Sequence, residues 1–359
     1  MRKRHITTLV CMAVVSATAV ACAEPSVSAA TPAVRTVHPG QSIQAAVDAA
    51  RTGDTIVVQP GTYHESVLVK KQGLTLRGSG ARTVIKPSAT GTKAGNACAK
   101  AGNGICVLGT SAHPVDGVSI RSLTVSGFKK NGIWASWTDG LKVGQVTSEA
   151  NGVWGIAQER STRSELRSNT AHRNGDAGIF VANTVAEEGG ATDTHGTQVR
   201  GNTLTDNRIG ITARRVRNLT LRDNILTGNC SGMFVVGDEN KPQAGVMTIH
   251  NNRVTDNNKF CPATPRLPAI QGSGIVLTGT VDTKVRDNTI RNNVGATPLS
   301  GGLVLFKSFV GAHSTGNTIS RNVVLGNRPA DLANQEAGPS NTFVGNTCAT
   351  SAPAGLCRP

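Results

Sequence analysis

Aromatic and acidic residues are both scarce in this 359-residue chain. Aromatics make up 3% of it, and 22 Asp and Glu stand against 37 Lys and Arg. With so few rings the sequence offers no stacking platform for nucleic acid, and it contains no basic helix. The zinc-site patterns CxxC and HExxH are absent as well. The sequence therefore predicts neither a nucleic-acid partner nor a zinc site.

The excess of positive charge bears on the choice of partner. The formal net charge is +15, and removal of Arg2, Lys3 and Arg4 would leave +12. Outside a cell this favours an acidic polysaccharide or a cell-envelope polymer, such as a polyuronate or a teichoic acid, although a basic balance also simply keeps a protein soluble.

The N-terminus is typical of an exported protein. Positive residues at 2–4 precede the apolar stretch Ile6–Ala21, which is too short for a membrane span and predicts a signal peptide over residues 1–22. We therefore expect an extracellular protein, with residues 23–36 as a flexible linker and residues 37–359 as one folded domain.

Two processing routes fit this segment. Residues 19–22 (AVAC) resemble a lipoprotein cleavage box, in which Cys22 would carry the lipid. Cleavage after Ala29 or Ala30 would instead remove Cys22. The protein is thus either lipid-anchored to the outer face of the cell membrane or freely secreted, and we expect a monomer.

Six cysteines follow the signal segment, and an oxidising compartment favours disulfides. Six cysteines allow fifteen pairings. Pairing between sequence neighbours closes one loop per bridge, and it predicts the bonds Cys98–Cys106, Cys230–Cys261 and Cys348–Cys357.

An internal repeat determines the predicted fold. The pattern Asn-x-apolar-x-x-Asn occurs six times, and its first Asn recurs after 22 to 36 residues. The copies begin at Asn169, Asn202, Asn224, Asn252, Asn288 and Asn317, with a degenerate seventh at Asn346. Asn tolerates left-handed turns, and its amide can bond to the same residue in the next repeat. The shortest interval indicates one bare coil, and the longer ones indicate inserted loops.

A second series places Gly before short apolar strands. Their predicted inward residues are Ile133, Ile156, Ile179, Ile211, Met233, Ile275 and Leu303. Short strands without a helical period between them must stack on their neighbours. Ahead of them, Ser42 can cap an amphipathic helix over Ile43–Ala50 that closes the end of the stack. The fold class is therefore all-β, a single-domain right-handed parallel β-helix (a solenoid) with a short N-terminal capping helix and a C-terminal cap.

The segments SIQAAVDAA, GDTIVVQPGTY, HESVLV and LTLRGSG, followed by the Asn and Gly coils, resemble the pectin-lyase-like superfamily. More narrowly they are similar to the nitrous-oxide-reductase-accessory, periplasmic copper-binding type of β-helix repeat protein. The resemblance covers about His38 to Asn346 and implies the fold, but it does not choose among lyases, hydrolases, epimerases and accessory proteins.

Known catalytic signatures of this superfamily are missing. The sequence lacks the later Asp segments of pectin methylesterases, the polygalacturonase set and the DPH motif of alginate epimerases. Asp193-Thr194-His195 is only loosely similar to the DPH motif. Copper handling is disfavoured, because Met233 and Met247 stand outside any Met- or His-rich cluster.

Strand alternation places Glu159 and Arg214 in one outward column, two coils apart. The insertion Asn183–Gly196 emerges between them and carries His195. Glu159, Arg214 and His195 are therefore the candidate catalytic residues for cleavage of an acidic polysaccharide by a lyase or hydrolase mechanism. The candidate substrate-binding residues are the neighbouring arginines and outward aromatics, Trp134, Arg160, Phe180, Arg215 and Phe234.

Each of these residues also has a structural interpretation. The charged side chains can be solvated surface groups, and the aromatics can pack under inserted loops. No cofactor is required by the sequence. Calcium could bind Glu187, Glu188 and Asp193, although three carboxylates fall short of the six to eight oxygens that calcium takes. The alternative function is a non-catalytic cell-surface scaffold that binds glycan or assists a metalloenzyme.

Overall fold

The computed structural model describes residues 31–88, 95–265, 267–336 and 340–357. The fold lies in one compact unit that begins at Pro32. The predicted signal peptide and Cys22 lie outside the described residues. Within the described part of the chain, no helix has the length and apolar character needed to cross a membrane.

Three long parallel sheets form the body, and every coil from β2 onward adds one strand to each of them. The first sheet has twelve strands: β1 (Val34–Val37), β2 (Thr55–Val58), β5 (Thr75–Arg77), β9 (Ser119–Arg121), β13 (Lys142–Gly144), β16 (Glu165–Arg167), β20 (Gln198–Arg200), β24 (Thr220–Arg222), β27 (Thr248–His250), β30 (Lys284–Arg286), β33 (Thr318–Ser320) and β36 (Thr342–Val344).

The second sheet has eleven strands: β3 (Gly61–His64), β6 (Thr83–Lys86), β10 (Thr124–Ser126), β14 (Thr147–Glu149), β17 (Thr170–His172), β21 (Thr203–Thr205), β25 (Ile225–Thr227), β28 (Arg253–Thr255), β31 (Thr289–Arg291), β34 (Val323–Leu325) and β37 (Thr347–Cys348).

The third sheet also has eleven strands: β4 (Val67–Val69), β7 (Ile105–Leu108), β11 (Ile133–Ser136), β15 (Ile156–Glu159), β18 (Ala177–Ala182), β22 (Ile209–Arg214), β26 (Ser231–Val236), β29 (Ser273–Thr278), β32 (Gly301–Phe306), β35 (Leu332–Asn334) and β38 (Ser351–Ala352). Two short parallel pairs complete the strands, β8 (Val115–Asp116) with β12 (Thr138–Asp139), and β19 (Thr192–Asp193) with β23 (Val216–Arg217).

The predicted right-handed parallel β-helix is therefore confirmed, and so is its inward column. Ile133, Ile156, Ile179, Ile211, Met233, Ile275 and Leu303 pair in register along the third sheet. All seven are buried in one continuous apolar core that fills the bore. Stacking gives each three-residue strand a buried face that it could not form alone.

Two buried ladders of Asn side chains run along the two corners that flank the second sheet, one ladder at each corner. In each ladder the Nδ2 group donates to Oδ1 of the Asn one coil further on, for example Asn202 to Asn224 at 2.9 Å. The same Nδ2 of Asn202 also donates to the backbone carbonyl of Leu166, and Oδ1 of Asn224 accepts from the backbone N–H of Asn202. Each coil is thus hydrogen-bonded to its neighbours through buried amides.

The Asn repeat needs two corrections. Asn317 does not continue the first ladder, because Asn288 bonds to Asn322, which bonds to Asn346. Asn317 bonds instead to Asn341, at another corner. The motif matched there because strands of the first and second sheets have the same three-residue length.

The second correction concerns the left-handed conformation. It is adopted by the residue before each ladder Asn, for example Ser168, Asp206 and Asp223 at φ between 53 and 58°. The ladder Asn itself supplies the hydrogen bonds. Two different residues thus perform the two tasks that the repeat pattern attributed to one Asn.

The N-terminal end is closed as expected by a helix, α1 (Ile43–Ala49), capped by the Ser42 hydroxyl, and a second short helix, α2 (Ala97–Lys100), follows further on. Glu65 accepts the backbone N–H groups of Ile43 and Gln44. Strand β1 starts at Val34, inside the segment 23–36 predicted as a linker, so the folded body begins earlier than expected. A 3₁₀ turn spans Gly80–Arg82.

The three predicted disulfides are all present: Cys98–Cys106, Cys230–Cys261 and Cys348–Cys357.

Candidate functional site

The outward column that carries the predicted catalytic residues has the expected register. Ser136, Glu159, Ala182 and Arg214 occupy four consecutive strands of the third sheet. Glu159 and Arg214 are therefore two coils apart, about 10 Å at the usual strand spacing.

Both side chains are engaged by the inserted loop at 183–196. The Glu159 carboxylate accepts from the Ser136 hydroxyl at 3.1 Å and from the backbone N–H of Val185 at 2.9 Å. Arg214 donates to the backbone carbonyl of Thr184 at 3.2 Å. These bonds fix the start of the loop, so Glu159 and Arg214 have a structural task whatever else they do.

The neighbouring arginines hold the same loop by ion pairs. Arg160 binds Glu187 at 2.6 Å, and its guanidinium lies 5.2 Å from the centre of the Trp137 ring. Arg215 pairs with Glu188 and with Asp238. Glu187 and Glu188 already neutralise these arginines. The predicted bidentate contact of Arg160 and Arg215 with a substrate would therefore require these ion pairs with the loop to break.

His195 lies at the other end of the loop. It is 60% exposed, and its Nδ1 is 3.8 Å from the Asp193 carboxylate. Burial works to raise the pKa of Asp193, but hydrogen bonds from Asn218 and from the backbone N–H of His195 outweigh it and lower the pKa. The two residues line a cleft of about 500 Å³ with Trp137, Asp139 and Glu187.

Calcium gains no support at this cleft. Glu187 and Glu188 are paired with arginines, and Asp193 is bonded to Asn218 at 2.6 Å. Across the described ranges, no group of three or more His, Cys, Asp or Glu side chains could hold a metal ion.

The prediction that Trp134, Phe180 and Phe234 line an open groove is wrong for Phe180 and Phe234. Phe180 is 6% and Phe234 3% exposed. Both belong to a second apolar cluster on the outside of the third sheet, together with Ile270 and Leu299 from inserted loops. These rings point away from the bore as expected, but the insertions cover them.

Trp134 remains partly exposed and belongs to a stack of three rings. Its ring centre is 5.8 Å from that of Trp154, with an interplanar angle of 19°. The Trp154 ring centre lies 4.1 Å from that of Phe180, with an interplanar angle of 8°. We call Trp134, Trp154 and Phe180 the aromatic ledge. Because the rings stack on one another, the ledge presents a strip of indole edges along the helix axis.

Asp176 supports the ledge and is unusual in its own right. Its carboxylate accepts the indole N–H of Trp154 at 2.9 Å. Burial raises the pKa of Asp176, against the lowering effects of this hydrogen bond and of Arg208 nearby. A carboxyl group that keeps its proton above the usual range can donate that proton.

A basic pocket of about 550 Å³ lies at the same corner. It is lined by Arg173, Asp206, Arg208, Lys259 and Pro262 among others. The buried Arg208 donates to the backbone carbonyl of Pro262 at 2.8 Å. The adjoining bridge Cys230–Cys261 ties this insertion to the third sheet, so the pocket has a covalently fixed wall.

Sequence reasoning missed Trp154, Asp176 and Arg208. All three stand in the turns just before strands of the third sheet, at one corner of successive coils. The signal was present, since Trp154 immediately precedes Gly155 and Asp176 stands two residues before Gly178.

Comparison with known proteins places the fold. The family described as right handed beta helix region matches residues 66–245 and 192–356. No curated protein sequence matches the chain significantly.

Among solved structures, the A-module of a mannuronan C-5 epimerase from Azotobacter vinelandii is 19% identical. That match covers 85% of this chain and 89% of that one, with a TM-score of 0.55. A double mutant of a periplasmic alginate epimerase is 15% identical, over 83% of this chain and 71% of that one, with a TM-score of 0.56.

DFA-IIIase from Arthrobacter chlorophenolicus, without its lid, is 13% identical over 84% of this chain and 81% of that one, with a TM-score of 0.57. At these identities the likeness concerns the fold. With the family match extending over most of the chain, this protein belongs to the right-handed β-helix family.

Proposed function

We propose that this protein binds an acidic polysaccharide at the aromatic ledge and the basic pocket. The observation that carries the proposal is the position of two partly exposed indoles near a pocket lined by Arg173, Arg208 and Lys259. Trp154 bonds to Asp176, which lies close to Arg208. Indole edges offer apolar surface to the C–H groups of sugar rings, and guanidinium groups bind carboxylates bidentately. The alginate epimerases with the same fold act on a polysaccharide by their names, which agrees with this proposal.

The test compares the three tryptophans of the chain. Trp134→Ala and Trp154→Ala should each weaken binding of short oligouronates at least tenfold, about 1.4 kcal/mol. Trp137→Ala is the matched control, because Trp137 lies outside the ledge beneath Arg160. Titration calorimetry with charged and neutral oligosaccharides measures the effect, and thermal unfolding checks each fold. Equal losses in all three variants, or equal binding of neutral sugars, would refute the proposal.

Catalysis is a second candidate function at the same place. A proton donor must lie near the bond it cleaves, and Asp176 lies against the ledge with a raised pKa. Asp176→Asn should then abolish product formation while oligosaccharide binding persists. Product formation is followed as absorbance near 235 nm, a general signature of unsaturated sugars, and as new reducing ends. The catalytic set Glu159, Arg214 and His195 remains a prediction, to be tested in the same assay.

We further propose that the protein is exported, with residues 1–22 as its signal peptide. Three disulfides support an oxidising location. Mass spectrometry of the mature N-terminus would separate acylation at Cys22 from cleavage after Ala29 or Ala30. An uncleaved cytoplasmic product would refute export. The accessory-scaffold alternative predicts stoichiometric copper binding by the purified protein.

A further inference from the structure

The outer face of the first sheet carries a regular column of basic side chains. The third residue of eight consecutive strands pairs in register, in the order Arg77, Arg121, Gly144, Arg167, Arg200, Arg222, His250 and Arg286. Six of the eight positions are therefore arginine. At about 4.8 Å per strand the column extends roughly 34 Å along the helix axis.

Acidic side chains offset only part of this charge. Glu165 pairs with Arg200 and, at 3.8 Å, with Arg167. Asp223 pairs with Arg222 and Asp287 with Arg286. Within the described ranges Arg77 and Arg121 have no ion-pair partner, and both are exposed. The adjacent outward column, formed by the first residue of each strand, adds Lys142 and Lys284. The face as a whole is positive.

The neighbouring side chains suit a polymer of sugars. The outward column beside the arginines is mainly Thr, Ser and Gln, at Thr75, Ser119, Gln198, Thr220 and Thr248. Neither column contains Phe, Tyr or Trp, and His250 is the one ring among the named positions. Single-stranded nucleic acid binding relies on several aromatic rings for base stacking. Hydroxyl and amide groups can bond to sugar hydroxyls, while the guanidinium groups hold the acidic substituents.

We propose that this arginine column is a second binding face, which holds a linear anionic glycan along the helix axis. Successive acidic groups of the polymer would meet guanidinium groups on successive coils. Each exposed contact is weak, but many contacts on one chain multiply the affinity. The site is separate from the aromatic ledge and does not depend on it.

The test is a matched pair of triple variants. Arg77→Gln, Arg121→Gln and Arg167→Gln together remove three charges from the column, and all three side chains are exposed. Arg253→Gln, Arg291→Gln and Arg328→Gln remove the same charge from exposed arginines away from the first sheet. Binding of a long polyuronate to the immobilised protein is measured as a function of salt.

The column variant should bind the polymer roughly tenfold more weakly with a shallower salt dependence, and the control variant within about twofold of wild type. Equal weakening in both would mean that net charge alone acts, and would overturn the proposal. Tighter binding of single-stranded DNA than of polyuronate, lost in the same column variant, would overturn the choice of glycan.

Short oligosaccharides distinguish this face from the ledge. They should bind the column variant as they bind wild type, because a short chain cannot reach several arginines at once. Conversely, Trp154→Ala should retain column-dependent binding of the long polymer. If the ledge proposal failed, this second result would still stand.

Discussion

The outer face of the third sheet is covered at one end and open at the other. From Phe180 to Phe306, inserted loops seal the outward side chains into a second apolar cluster. Towards the N-terminus, Trp134 and Trp154 stay partly exposed on the same face. The strands pair in parallel throughout, with four residues each in the open part and six in the covered part. The insertions that accompany the longer strands decide where the face is available to a ligand. The open part of this face is therefore where a ligand could reach the outward side chains, and the covered part is not.

Truncation of one aromatic side chain in each part should show the largest difference between the covered and the open part. Phe234→Ala, in the covered part, should cost about 3–5 kcal/mol of unfolding free energy, because it empties a buried position. Trp134→Ala should cost less and lose mainly glycan binding, because its ring is partly exposed. Denaturant unfolding of both variants measures the difference. Equal costs would mean that the two parts are packed alike.

Removing disulfides tests how much the bridge Cys230–Cys261 stabilises the inserted loops over the third sheet. Replacing Cys230 and Cys261 together by Ser should cost about 3–4 kcal/mol by chain entropy, since the bridge spans 31 residues. The matched change at Cys98 and Cys106 spans 8 residues and should cost about 2–3 kcal/mol. Only the first pair should also loosen the basic pocket, seen as faster amide exchange near Pro262. Unchanged amide exchange near Pro262 would show that packing alone, without the disulfide, holds this inserted loop in place.

The bore beneath the open part contains a buried side-chain amide. Gln158 is 1% exposed and pairs in register with Ala135 and Val181, yet its amide has no hydrogen-bond partner in the described part of the chain. Gln158→Leu should raise the unfolding free energy by about 1–3 kcal/mol, because it removes an unsatisfied buried amide. Val181→Leu is the control for added volume. A loss of stability in Gln158→Leu would indicate that the amide is satisfied by water.

The smallest effect concerns two carboxyl groups with opposite pKa shifts. Asp176 has a raised pKa, so its protonated form stabilises the fold at low pH, and this contribution is lost as pH rises above 3.8 through the folded-state pKa. Asp193 has a lowered pKa, so its contribution is present above 3.8 and lost as pH falls. The melting temperature of wild type relative to Asp176→Asn should therefore fall with pH, and relative to Asp193→Asn it should rise. Parallel slopes would contradict both assignments.

Local pattern predicted the fold well, because stacking makes sequence neighbours into structural ones. The column Ile133, Ile156, Ile179 follows from counting residues after each Gly, and the disulfides follow from proximity. The site was harder to predict. Whether Phe180 is open depends on side chains from inserted loops, such as Ile270 and Leu299, whose positions have no periodic signal in the sequence. The ion pairs of Arg160 and Arg215 arise likewise from a loop that folds back.

The Asn ladder has an evolutionary consequence. Neighbouring rungs are joined by the same amide bonds whether 22 or 36 residues separate them. Sequence length is therefore uncoupled from the pitch of the solenoid, and a corner can gain a new loop without disturbing the coils above and below. The segment from Asn202 to Asp223 is a minimal module of 22 residues, which can in principle be duplicated or deleted as a unit. A protein built this way can acquire new surfaces by insertion while its backbone register is inherited unchanged.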